Sequence, residues 1–160
     1  AMAHNTGQKI IPVVIDSYGG QVYSLMSMIS TIKSSDLPIA TIVEGKAMSC
    51  GAILLSFGTE GYRFVDKDAT VMIHDVSSGQ LGKVEEVVAS AKETERLNAV
   101  VYKMMAQNCG KKDDYFLKLV DKKKHADWFL NADECVKHGL ANHTRVPKIS
   151  VNVDVAIEFE

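Results

Sequence analysis

Ser49 lies in the run Ala47-Met48-Ser49-Cys50-Gly51, with a small residue two places before it and a glycine two places after. That is a variant of the nucleophile-elbow pattern, in which small neighbours let a strand turn sharply into a helix and project a hydroxyl. A helix starting there aims free N–H groups at the same spot, so the Cys50 N–H would face a substrate carbonyl oxygen. Taken alone, a serine in this setting is more often an N-cap. Gly19-Gly20 follows an apolar run, and two glycines permit φ > 0 and close approach of another backbone. Read functionally, the Gly20 N–H is a second donor to an oxyanion; read structurally, the pair is a turn. His74 follows the short run 70–73, and a histidine at a strand end can face a cleft and titrate near neutrality. The structural alternative is a hydrogen-bonded or surface imidazole. His4, His125, His138 and His143 fall in less patterned stretches expected to be exposed, which leaves His74 the best of the five histidines. Together these groups suit attack by an activated hydroxyl on a carbonyl.

Such groups need elements to position them. Residues 10–16 form a β-branched run that reads as a buried strand, closed by a turn at Tyr18-Gly19-Gly20. Residues 21–34 carry Val22, Leu25, Ile29 and Ile32 on one helical face, and Pro38 keeps that helix broken. A second strand is expected over 39–43, a small-residue turn over 45–51 and an apolar helix over 52–57. Short strands over 62–65 and 70–73 flank the turn Asp66-Lys67-Asp68. Residues 77–82 are rich in glycine and serine and read as a loop or irregular strand. The longest helical pattern runs over 84–108, stopped by Gly110. Another helix is expected over 113–122. Asn131-Ala132-Asp133-Glu134 has the form of a capping box, opening a helix that Gly139 closes. Residues 140–146 read as a strand. From Ile149 to Phe159 apolar and other residues alternate, the pattern of a half-buried strand. The order strand, helix, strand, helix implies an α/β fold with parallel pairing and His74, Ser49 and the glycines at one sheet edge.

The composition sets the frame. The 160 residues, 46% hydrophobic and 24% charged, suit a single globular domain with a real core. A formal net charge of −2 gives no reason to expect nucleic acid or an anionic membrane as partner. The run Lys122-Lys123-Lys124-His125 reads as a solvated helix end. Three cysteines, Cys50, Cys109 and Cys135, form no metal-type pair and point to a reducing, cytoplasmic compartment. No run is long enough to span a bilayer. No metal, cofactor or Walker-type nucleotide loop is expected. Ala1-Met2-Ala3 has its methionine second, so residues 1–9 read as a flexible lead-in or cloning remnant.

Asp16-Ser17-Tyr18-Gly19-Gly20-Gln21-Val22, Gly45–Ala52 around Ser49, and Met72-Ile73-His74 together resemble the proteolytic-subunit family of the Clp proteases, ClpP. Their mutual spacings match that family without a gap. Asp127-Trp128-Phe129-Leu130-Asn131-Ala132-Asp133-Glu134, followed by His138-Gly139-Leu140, resembles the segment carrying the family's triad aspartate, ahead of Asp121 and Asp133 as competitors. The resemblance spans residues 13–142. It implies a ClpP/crotonase-like fold of repeated β-β-α units with a projecting handle at 77–110. It implies a serine endopeptidase with Ser49 as nucleophile, His74 as general base and Asp127 orienting the histidine. Gly20 and Cys50 would supply the oxyanion hole, and Gly19, Gln21, Val22 and Asp75 would border an extended peptide or unfolded-protein substrate. The implied partners are further copies of the chain in a heptameric ring or stacked pair, and a separate ATP-dependent AAA+ unfoldase.

Several positions depart from the family pattern. Tyr18 and Val76 replace prolines, and Cys50 replaces methionine. Only 18 residues precede Gly19, in the region where the family forms axial loops and meets its unfoldase. Residues 148–160 have no sure counterpart and are expected to add a strand. A divergent, phage-like or truncated member would look like this. The rival readings are a phage head-maturation peptidase, a non-catalytic ring component, an acyl-CoA-binding crotonase, and a serine–lysine peptidase using Lys46 or Lys83.

Overall fold

The computed structural model describes residues 7–150. In chain order these form β1 (Ile11–Ser17), α1 (Val22–Lys33), β2 (Ile39–Met48), α2 (Cys50–Ser56), β3 (Arg63–Val65), β4 (Thr70–Ile73), α3 (Val84–Asn108), α4 (Tyr115–Lys122), β5 (Trp128–Leu130) and α5 (Ala132–His138). The sheet order is β1-β2-β4-β5, with β3 also paired to β2. β2 is the spine. It pairs parallel with β1, with β3 through Thr41–Val43 and with β4 through Lys46–Met48. Its first five residues are all buried, as expected of a strand covered on both faces. β5 runs antiparallel to β4, so the parallel pairing read from element order stops at this edge.

The helices fix their apolar stripes on the sheet. α1 buries Val22, Leu25 and Ile29. α3 is divided along its length: residues 84–89 are exposed, whereas Leu97, Val101, Tyr102, Met105 and Ala106 lie in the core. Its first turns are solvent-facing, and Glu93, midway along, accepts from the Tyr23 hydroxyl of α1 at 2.6 Å. α5 begins with the expected capping box: Asn131 Oδ1 accepts from the Glu134 N–H, and Glu134 accepts from the Asn131 N–H. Gly139 ends α5 at φ 82°, a left-handed conformation that glycine adopts without strain.

Three expectations need correction. The turn expected over 45–51 is strand as far as Met48, because β4 supplies pairing partners for Lys46–Met48 despite Gly45. Residues 140–146 form no strand. They contribute one bridge, His143 to Phe64, reinforced by ring stacking at 4.7 Å between centroids. His138 and His143 are half-buried rather than exposed. The alternating tail lies outside the described residues beyond Ser150.

Arg63 is the one charged residue in the buried interior among the described residues, 2% exposed. Its guanidinium donates to the last backbone carbonyls of two helices, Ser56 O at 3.2 Å and Asn108 O at 3.1 Å. It also donates to Asn142 Oδ1 at 3.2 Å and pairs with Glu60. A cation at helix C-termini meets the negative ends of both dipoles.

Candidate active site

β2 ends at Met48, and Ser49 makes the turn into α2 with φ 56° and ψ −120°. A non-glycine residue there carries strain of about 1–3 kcal/mol. The strained residue is anchored from both sides. Its N–H donates to Met72 O of β4 at 2.8 Å, and its carbonyl accepts from the Ala52 and Ile53 N–H groups of α2. The Ser49 side chain makes no cap hydrogen bond, so the N-cap alternative does not describe it. Gly19 closes on it at φ 111°; a Cβ there would stand 2.7 Å from Ser49 Cβ and 3.1 Å from Ser49 Oγ. Residue 19 must be glycine for the β1 turn to pass this close.

His74 and Asp127 meet through strand register. The antiparallel rungs Val71–Leu130, Met72–Phe129 and Ile73–Trp128 put position 74 opposite position 127, one step beyond the last rung. His74 Nδ1 lies 3.7 Å from Asp127 Oδ1, within ion-pair reach but longer than a hydrogen bond. Parallel register of Met48 with Met72 brings Ser49 and His74 to neighbouring strand ends. Among the described residues no hydrogen bond joins the Ser49 hydroxyl to the His74 imidazole. Positions 49, 74 and 127 thus lie at neighbouring strand ends, with the acid–histidine contact open by a few tenths of an ångström beyond a hydrogen bond.

The family model described as Clp protease matches residues 1–147. The chain belongs to the Clp protease family. Membership implies a peptidase of the ClpP serine type and carries the mixed α/β fold described above.

Other positions expected at a Clp protease site fall as follows. Gly20 is exposed and open, with nothing within 4 Å of where a Cβ would stand. Cys50 Sγ donates to Gly20 O at 3.2 Å, tying the helix start to the glycine turn. Burial pushes the Cys50 thiol pKa up, so it stays protonated. Gln21 precedes α1 and is exposed, but Val22 turns its side chain into the core. Any contact of residue 22 with substrate would be through its backbone. Lys46, one candidate for a serine–lysine dyad, pairs with Asp16 at 2.7 Å and lies over the Tyr18 ring at 4.4 Å. The other, Lys83, precedes α3, within the exposed stretch 77–89. Among the described residues no cluster of three or more His, Cys, Asp or Glu could hold a metal ion, and no helix is long and apolar enough to cross a membrane.

Asp75 is engaged by protein groups. Its Oδ1 accepts from Asn98 Nδ2 at 2.9 Å, and its Oδ2 contacts His125 Nδ1 at 2.6 Å. The Val76 N–H donates to Asn98 Oδ1 at 2.9 Å. Sequence reasoning missed Asn98 and set His125 aside as an exposed residue. Asn98 sits inside a long helical pattern, and His125 reads as part of a basic surface run. The only available signal was that His125 stands two residues before Asp127.

Proposed function

We propose that the chain is a serine endopeptidase in which Ser49 attacks a peptide carbonyl while His74 accepts its proton. His74 then returns that proton to the leaving amine, and water activated by the same imidazole hydrolyses the acyl-enzyme. Asp127 holds the imidazole tautomer and stabilises the cation. The N–H groups of Gly20 and Cys50 hold the oxyanion, each such donor contributing about 3 kcal/mol to lowering the barrier. Substrate is an extended peptide or unfolded protein lying along the sheet edge.

The observation that carries this reading is the backbone of Ser49: held in a strained turn against Gly19, with its hydroxyl not used as a helix cap. A purely structural serine would not need that conformation. The assembly proposed is a ring of like subunits, a heptamer or a stacked pair, with the exposed first half of α3 at a subunit contact, and with a separate ATP-dependent unfoldase feeding it. Fluorophosphonate labelling tests the reading directly. The wild type should label and Ser49→Ala should not, with cleavage of a short fluorogenic peptide lost in parallel. Equal behaviour of the two proteins overturns the reading.

A further inference from the structure

We propose that His125 and Asp75 form a clamp that sets the distance between His74 and Asp127, making both positioning residues for the triad. The inference rests on the triad reading above.

The ladder between β4 and β5 ends at the Ile73–Trp128 rung. His74 and Asp127 lie just past it, so regular strand pairing does not hold them together. The next link across the gap is the contact of Asp75 Oδ2 with His125 Nδ1 at 2.6 Å. Rung and clamp therefore bracket the histidine–aspartate contact from its two sides. The clamp is offset by one residue from strict register, since position 75 would otherwise face Ala126. The turn absorbs that offset: Lys124 and His125 have φ of 56° and 59°, two consecutive non-glycine residues in left-handed conformation. Such a pair is rare and needs contacts that hold it. The His125 N–H donates to Val120 O at 3.1 Å, and the Ala126 N–H to Lys123 O at 3.2 Å.

The Asp75 end is fixed too. Asn98 on α3 binds the Asp75 carboxylate with its amide nitrogen and the Val76 N–H with its oxygen, so one side chain holds the residue-75 carboxylate and the backbone that follows it. Tyr102, one turn further along α3, buries a hydroxyl that makes no full hydrogen bond among the described residues, Asp75 being the nearby acceptor. It lies near enough to Asp75 for the carboxylate to raise its pKa, as burial also does. Among the described residues, Asp121 also faces His125, its Oδ1 3.6 Å from Nε2. The Lys123 ammonium is over the Trp128 ring, 5.1 Å from its centroid.

The test measures kcat and KM on a fluorogenic peptide, and the rate of fluorophosphonate labelling, in the wild type and in His125→Ala, His125→Asn, His125→Gln and the double variant His125→Ala/Asp75→Ala. Loosening the triad should lower kcat and labelling by about 10- to 100-fold with KM changed less than about twofold, as small misplacements of catalytic groups do. His125→Asn puts an amide nitrogen where Nδ1 stands and should recover most of the loss; His125→Gln should not. The double variant should be no slower than the single one, because the two side chains act as one contact. Wild-type labelling in His125→Ala, or equal rates for the Asn and Gln variants, would overturn the clamp. Should His125→Ala fail to fold, the Asn–Gln comparison decides alone. A wild type that does not label removes the triad reading, and the clamp with it, which separates the two failures.

Discussion

Gly19 and Gly20 adjoin in sequence but face opposite physical demands. At Gly19 a methyl group would meet Ser49 Cβ at 2.7 Å and the Met48 carbonyl at 3.1 Å, at a φ of 111°. Gly19→Ala should therefore reduce peptide cleavage by at least about 100-fold and lower stability by about 1–3 kcal/mol, read by urea unfolding. Gly20→Ala meets open space and should leave unfolding within about 0.5 kcal/mol of wild type. A further expectation concerns the thiols. Burial holds Cys109 and Cys135 protonated, their pKa values pushed up to about 12, and raises Cys50 as well. Titration with a disulfide reagent should find the three cysteines slow in the native state and all reactive after denaturation. At this scale the sharp turn at Ser49 and the close approach of Gly19 were legible, because small residues there answer a local backbone requirement. The sequence told nothing of the His125–Asp75 contact, since 50 residues separate the partners and neither sits in a pattern of its own.

α5 and the strand before it form the element most open to test. The capping box at Asn131 is a local interaction, so Asn131→Ala should cost about 1 kcal/mol and lower the Tm by a few degrees. At the other end, His138 accepts or donates with the Tyr115 hydroxyl at 2.8 Å and packs edge-on to Trp128. Burial, aided by Lys137 and Lys111, lowers its pKa. The unfolded chain then binds a proton more readily than the native one, so stability falls as pH drops through the ordinary imidazole range and on to the lowered native value. Thermal unfolding from pH 8 to 5 should show a steeper loss in wild type than in His138→Gln. The boundaries of α3 and the caps of α5 were legible because helix periodicity and capping residues act locally. β5 was not read as a strand, being a three-residue run whose pairing depends on β4. The second half of β2 was read as a turn because Gly45 signals one, and only the arrival of β4 makes it strand.

Over the whole molecule, the order of elements was enough for an α/β fold, while the antiparallel edge strand depends on contacts across the chain. The exposed stretch from Leu81 to Val88 carries Leu81 at 97% exposure and Val84 at 73%, apolar side chains that the proposed ring would cover. Val84→Asp should shift light scattering toward smaller species while the subunit's circular dichroism is kept. Arg63 has a consequence of another kind. One guanidinium fastens the far ends of both the helix that starts beside Ser49 and the helix that carries Asn98. Replacing it by leucine would take away the donor to the Asn108 carbonyl, at about 1–3 kcal/mol, while Ser56 O would keep the Asn108 side-chain amide as a donor. Loss of this cross-tie should make the peptidase heat-labile rather than slow: the rate at low temperature would be nearly normal, and inactivation would coincide with global melting, both arriving several degrees early.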